Sequence, residues 1–237
     1  VTAEYIHGKT GLDGPRLPEP TSALQSQHGV DFLIDVLRRA AAGSVTLCAL
    51  GPLTDIATAL VKAPDVAGKI AEIVAMAGAY FEVGNVTPAA EFNVYVDPHA
   101  ADVVLRSDIP VTMLPLDVSH KALTTRPRIE RLRTLGNRCG VAVAEMLDFF
   151  ERHDVEKYGF DGGPLHDPCV VAYLLRPGLF RGRKVNVTVE TGSELTLGMT
   201  VADWWRVTDR PPNVQFMNDV DADGFYDLLT ERIARLP

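Results

Sequence analysis

Apolar positions along the chain alternate between two patterns, spacings of three and four residues and short continuous runs. Val30, Leu33, Ile34, Leu37, Ala40 and Ala41 recur at three and four, predicting a helix with one apolar face that ends at Gly43. Residues 45–50 are continuously apolar and read as a strand covered on both faces. After a Gly51-Pro52 turn, residues 53–61 predict a helix that must finish before Pro64. Residues 70–77 read as a second buried strand, and Asp97-Pro98 supplies a cap and a first-turn proline for a helix over 97–106. A third strand is predicted at 111–116, helices at 127–135, 139–152 and 167–175, strand-like sequence at 184–190 and 195–201, and a helix at 224–236. Strands alternating with helices imply an α/β fold: an open, mostly parallel sheet flanked by helices, in one domain without repeats or linkers.

Three long segments interrupt the alternation, at 8–28, 79–96 and 154–166. Long connections in compact domains are often functional, and ligands of open parallel sheets lie beyond the carboxyl ends of the strands. The loops after the 45–50 and 70–77 strands are therefore expected to border a site. With 46% hydrophobic residues the chain can pack a core. Its 23 basic against 31 acidic residues, a net charge of −8, argue against a nucleic-acid partner. No apolar run approaches the roughly 18 residues of a membrane span. Cys48, Cys139 and Cys169 lack any metal spacing and read as buried packing in a reducing, cytoplasmic setting. Residues 3–10 fit a relaxed phosphate-loop pattern, but Gly11, Gly14 and Pro15 follow where a helix is needed, so that reading is rejected.

Candidate chemistry sits in two blocks. Asn85, Glu91 and Asn93 stand among small residues after the second strand. Glu91 and Asn93, two apart in extended backbone, would project to one side, and a carboxylate with amides can both donate to and accept from vicinal hydroxyls. A polar surface loop accounts equally well for these letters. In Gly163-Pro164-Leu165-His166-Asp167-Pro168, Asp167 reads either as a helix cap, like Asp97, or as a hard oxygen ligand. His166 reads as a packed imidazole or as a proton donor with a pKa near neutrality.

The strings LCALGPLTDIA (47–57), IVAMAGAYFEVGNVTPAAEFNVYVDPHAA (73–101), GGPLHDPCVVAYLL (162–175) and IHGKTGLDGP (6–15) resemble the inosine-uridine-preferring nucleoside hydrolases, in order and over essentially the whole chain. The pyrimidine-preferring ribonucleoside hydrolases are the nearest type. The resemblance implies a Rossmann-like sheet and a homodimer or homotetramer working in nucleoside salvage. It also implies calcium-dependent hydrolysis of ribonucleosides to ribose and base, with a calcium-positioned water and an oxocarbenium-like transition state. Position by position, it implies that Asp167 and the Leu50 carbonyl bind calcium. Asn85, Glu91 and Asn93 would bind ribose, with Met76 beneath the sugar and Phe92 beside it. His166 would face the leaving base, His7 would close over it, and Tyr158 and Phe160 would lie on a base-facing loop. The family's DxDxxxDD aspartate cluster does not occur in these residues. The expectation is therefore a C-terminal portion of the domain whose first strands precede Val1, leaving the 45–50 strand at a sheet edge. Such a chain would bind calcium poorly and turn over nucleoside negligibly. The alternative is a non-catalytic ribose- or nucleoside-binding protein, in which the same amides hold sugar without metal.

Overall fold

The computed structural model describes residues 4–159 and 161–237, the side chains of Tyr5 and of residues 151–158 excepted. Helices α1 (Glu4–His7) and α2 (Gly29–Arg39) precede strand β1 (Val45–Ala49), and α3 (Thr54–Lys62) leads to β2 (Ile70–Ala75). Then come α4 (Phe92–Val96), α5 (Pro98–Leu105), β3 (Val111–Met113), α6 (Leu116–Ser119) and β4 (Leu123–Thr124). Helices α7 (Arg126–Arg133) and α8 (Arg138–Tyr158), strand β5 (Gly163–Pro164) and α9 (Pro168–Leu175) follow. The last elements are β6 (Phe180–Val185), β7 (Val187–Val189), β8 (Thr200–Ala202), β9 (Val214–Val220) and α10 (Ala222–Ile233).

The main sheet has the order β1-β2-β3-β9-β6, with the first four strands parallel and β6 antiparallel. Successive side chains of a strand leave on opposite faces. In β2, Ile73 and Ala75 accordingly join Leu37, Leu60 and Val104 of α2, α3 and α5, while Val74 joins Val170 of α9 and Phe225 and Leu228 of α10. Helices thus cover both faces, which is why the Ile73–Ala75 half of β2 is apolar and buried, while Ala71 and Glu72 near its start are not. The carboxyl ends of β1, β2 and β3 point the same way, and the segments leaving them meet at one crevice.

Several expectations are corrected. Strand β1 is not covered on both faces, since Thr46 and Cys48 are exposed; its place at the sheet edge is the one the family resemblance led to expect. An apolar run reports strand propensity, not which neighbours the strand finds. Of the cysteines only Cys169 is buried; Cys48 is exposed and Cys139 lies between. The predicted 184–190 strand divides at Asn186, whose amide donates to the Pro211 carbonyl at 2.8 Å. The two pieces, β6 and β7, therefore belong to different sheets. Strand β8 begins only at Thr200, because 193–198 is a turn region. Strand β9, central in the sheet, was not anticipated. The rejected phosphate-loop segment forms the short α1 and a turn, lacking the strand–loop–helix context that phosphate binding needs. No helix among the described residues is long and apolar enough to cross a membrane.

Candidate functional site

At the carboxyl end of the sheet lies a cavity of about 610 Å³, in the size range of small-molecule sites. His7, Leu50, Met76, Asn85, Glu91, Phe92, Asn93, His166 and Asp167 all border it. The two blocks singled out in the sequence, separated by more than seventy positions, therefore share one pocket. Tyr158 ends α8 with its side chain outside the described residues, and Phe160 lies outside them altogether. Met146, Phe149 and Phe150 of α8 add an apolar wall, and His7 stacks on Phe150 with ring centres 5.2 Å apart and planes 15° apart.

Hydrogen bonds to the scaffold fix the polar groups. Glu91 is extended, but Asn93 is not: the chain turns into α4 at Phe92, and Glu91 caps that helix. One Glu91 oxygen accepts from Asn93 N at 2.7 Å, and the other accepts from Val94 N at 3.2 Å and Gly78 N at 2.9 Å. Gly78 has a φ of +82°, and a Cβ there would meet the Met113 side chain and Thr200 Oγ1 at 2.8 Å, so only glycine serves the turn that delivers this N–H. Glu91 is 2% exposed, and burial pushes its carboxyl up to about 7 against the opposing pull of the three N–H donors, with nearby Asp167 adding to the rise.

The two amides are committed in opposite senses. Asn85 Oδ1 accepts from Phe92 N at 2.9 Å, which leaves its NH₂ to offer. Asn93 donates through Nδ2 to the Met76 carbonyl at 2.9 Å, which leaves Oδ1 as an acceptor. A donor and an acceptor in one pocket suit hydroxyl groups, which need both.

Of the two readings of Asp167, the helix cap is not realised. At Asp97 the side chain does cap its helix, accepting from Ala100 N at 3.0 Å. Asp167 stands in the same Asp-Pro setting but makes no side-chain cap bond to α9. Its carboxyl instead faces the cavity, where burial pushes it up to about 6. His166 binds Ser119 Oγ through Nδ1 at 2.7 Å. Burial, reinforced by repulsion from His120 and His7, lowers its imidazole to about 3, so the near-neutral value expected from sequence is corrected and the ring is uncharged.

Sequence reasoning missed His120, which borders the cavity with its ring 6.1 Å from that of His166 and its Nδ1 3.1 Å from Glu82 Oε2. The signal was available: the rule about strand carboxyl ends, applied to two strands, holds equally for β3, which leads directly into Asp117, Ser119 and His120.

A calcium ion takes six to eight oxygens. The Asp167 carboxylate and the main chain at Leu50 border the cavity together, but no cluster of three metal-binding side chains exists among the described residues. Two oxygens are too few, so the described residues do not by themselves fit a calcium ion.

Fold and site define a mostly parallel α/β protein with a pocket of polar side chains at its strand ends. The family model described as inosine-uridine preferring nucleoside hydrolase matches residues 1–227, and the chain belongs to that family. It is 54% identical over 237 residues to an uncharacterized Schizosaccharomyces pombe protein, covering all of this chain and 76% of that one. It is 50% identical over 234 residues to the pyrimidine-specific ribonucleoside hydrolase RihA of Shigella boydii, covering 98% of this chain and 75% of RihA. Among solved structures, the purine-preferring ribonucleoside hydrolase from Gardnerella vaginalis superposes with a TM-score of 0.88 at 33% identity, covering 98% of this chain and 73% of that one.

Proposed function

We propose that the chain carries the sugar- and base-binding part of a single ribonucleoside hydrolase domain, one that cleaves the N-glycosidic bond of ribonucleosides to ribose and free base. The observation that carries this reading is the pairing of oppositely committed amides, Asn85 and Asn93, beside the uncapped carboxyl of Asp167. Cleavage of a glycosidic bond passes through an oxocarbenium-like sugar cation. Asn85 and Asn93 hold the ribose hydroxyls, Met76 lies beneath the ring and Phe92 beside it. The carboxyls of Glu91 and Asp167, in their ionised forms, stabilise the developing positive charge. Met146, Phe149 and Phe150 exclude water from the base side, where uncharged His166 offers a hydrogen bond to the departing base and His7 closes the mouth. Pyrimidine ribonucleosides are the substrates to test first, since relatives about half identical to the chain are pyrimidine-specific. A homodimer or homotetramer in the cytoplasm completes the reading.

Uridine is expected to bind the 237-residue chain, and 2′,3′-dideoxyuridine at least about tenfold more weakly, because each lost hydroxyl leaves a committed amide unpaired. In Asn93→Ala that discrimination should shrink. Equal binding of the two ligands by calorimetric titration would overturn the assignment.

Calcium belongs to this reading as the family's expected metal, but with two oxygens available the chain is expected to show no tight, stoichiometric site in a calcium titration. A sharp one-to-one isotherm would contradict that. The shortage of ligands favours a second reading, nucleoside binding without turnover. Chromatographic assay of uracil release from uridine, with calcium present, separates the two: release above the spontaneous rate excludes the non-catalytic reading.

A further inference from the structure

We propose that Ser119 is the positioning residue of His166, holding its imidazole as the Nε2–H tautomer so that a donor is presented to the leaving base; the role of that donor rests on the reading of the cavity as a nucleoside site. Ser119 is 1% exposed and ends α6, behind the cavity wall. Its Oγ lies 2.7 Å from His166 Nδ1. A buried hydroxyl proton left without an acceptor loses its hydrogen bond to water and gains none in return. Among the described residues, the acceptor within reach of this hydroxyl is His166 Nδ1. Ser119 therefore donates, Nδ1 is the bare nitrogen, and the ring hydrogen sits on Nε2. With Nδ1 turned to Ser119, Nε2 is the nitrogen left for the cavity that His166 borders.

The turn that carries Ser119 is itself clamped to the sugar loop. The Asp117 carboxylate accepts from Tyr80 N at 3.0 Å and Phe81 N at 2.6 Å, with Glu82 N at a longer 3.4 Å. Glu82 in turn reaches back to His120 Nδ1 at 3.1 Å. Residues 80–82 and 117–120 thus form one unit, which sets the imidazole of His166 in register with the loop bearing Asn85 and Asn93. A hydrogen bond at the base is useful only if ring plane and tautomer are fixed relative to the sugar.

Nitrogen-15 NMR of the histidine-labelled 237-residue chain reads the tautomer directly and needs no turnover. In the parent chain, His166 is expected to show a bare Nδ1 and a protonated Nε2. Ser119→Ala should give a mixture of tautomers, and Ser119→Thr, which keeps the hydroxyl, should restore the parent pattern. Uridine affinity should fall about fivefold in Ser119→Ala while ribose affinity stays unchanged, since His166 acts on the base side. A parent spectrum with Nδ1 protonated overturns the proposal, as does a Ser119→Ala spectrum identical to the parent. An equal loss of ribose and uridine affinity would show Ser119 to be merely structural, and also overturns it. If Ser119→Ala does not fold, the parent spectrum and Ser119→Thr still decide the tautomer. If the parent chain binds no uridine, the nucleoside reading fails while the spectra still report on Ser119.

Discussion

Glu91→Ala is expected to unfold about 6–12 °C below the parent chain. The substitution strips the partner from three N–H groups, those of Gly78, Asn93 and Val94. At about 1 kcal/mol each the loss is about 3 kcal/mol. In a chain of this size each kcal/mol moves the melting temperature by about 2–4 °C. Scanning calorimetry measures it, and a shift below about 2 °C would mean that those donors find other partners. The pH dependence carries its own signature. Burial lifts the folded-state carboxyl from its ordinary 4.5 to about 7, so between those values the folded chain keeps a proton that the unfolded chain has released. The contribution of this group is therefore full below about pH 4.5 and fades as pH rises through about 7. Glu91→Gln, which cannot titrate, should lose that slope.

Asp117→Asn should loosen the sugar loop without unfolding the sheet. Asp117 is 2% exposed, and its two oxygens gather the N–H groups of residues 80–82. An amide keeps one acceptor oxygen and turns an NH₂ toward the remaining donors, at a cost of about 2 kcal/mol. Hydrogen exchange should show faster exchange of the Tyr80 and Phe81 amides, with those of β2 and β9 unchanged. Uridine affinity should fall as Asn85 and Asn93 lose their fixed spacing. Unaltered protection at Tyr80 and Phe81 would refute the clamp.

Most of the helices and the parallel core were legible because they rest on local rules. Asp97-Pro98, Gly43 and the three-four spacing of α2 carry their geometry in adjacent letters. Strand β9 escaped because Gln215, Asn218 and Asp219 interrupt its apolar pattern, although Val214, Phe216 and Val220 are buried. Its place between β3 and β6 is set by partners more than a hundred and about thirty residues away, respectively, which no local window contains. The exposure of Cys48 is not written in the apolar letters of β1, since an edge is a property of the sheet and not of the strand; only the family resemblance placed β1 at the edge. At the site, Asp167 could be read two ways until its side chain was seen to leave the helix end uncapped, while Asp97 three strands earlier took the ordinary role. Ser119 and Asp117 do not line the cavity; they work from behind it, and only their place after the carboxyl end of β3 marks them in the sequence.

The opposed commitments of Asn85 and Asn93 give the cup a polarity. An ether oxygen can still take a proton from the Asn85 amide, but it has none to give to Asn93 Oδ1. Methylating the sugar at the position facing Asn93 should therefore abolish that contact, while the same methyl at the position facing Asn85 would meet only a steric limit. A pocket that holds ribose as proposed is then expected to tell which of two neighbouring oxygens carries the alkyl group, although both are flanked by the same kind of side chain.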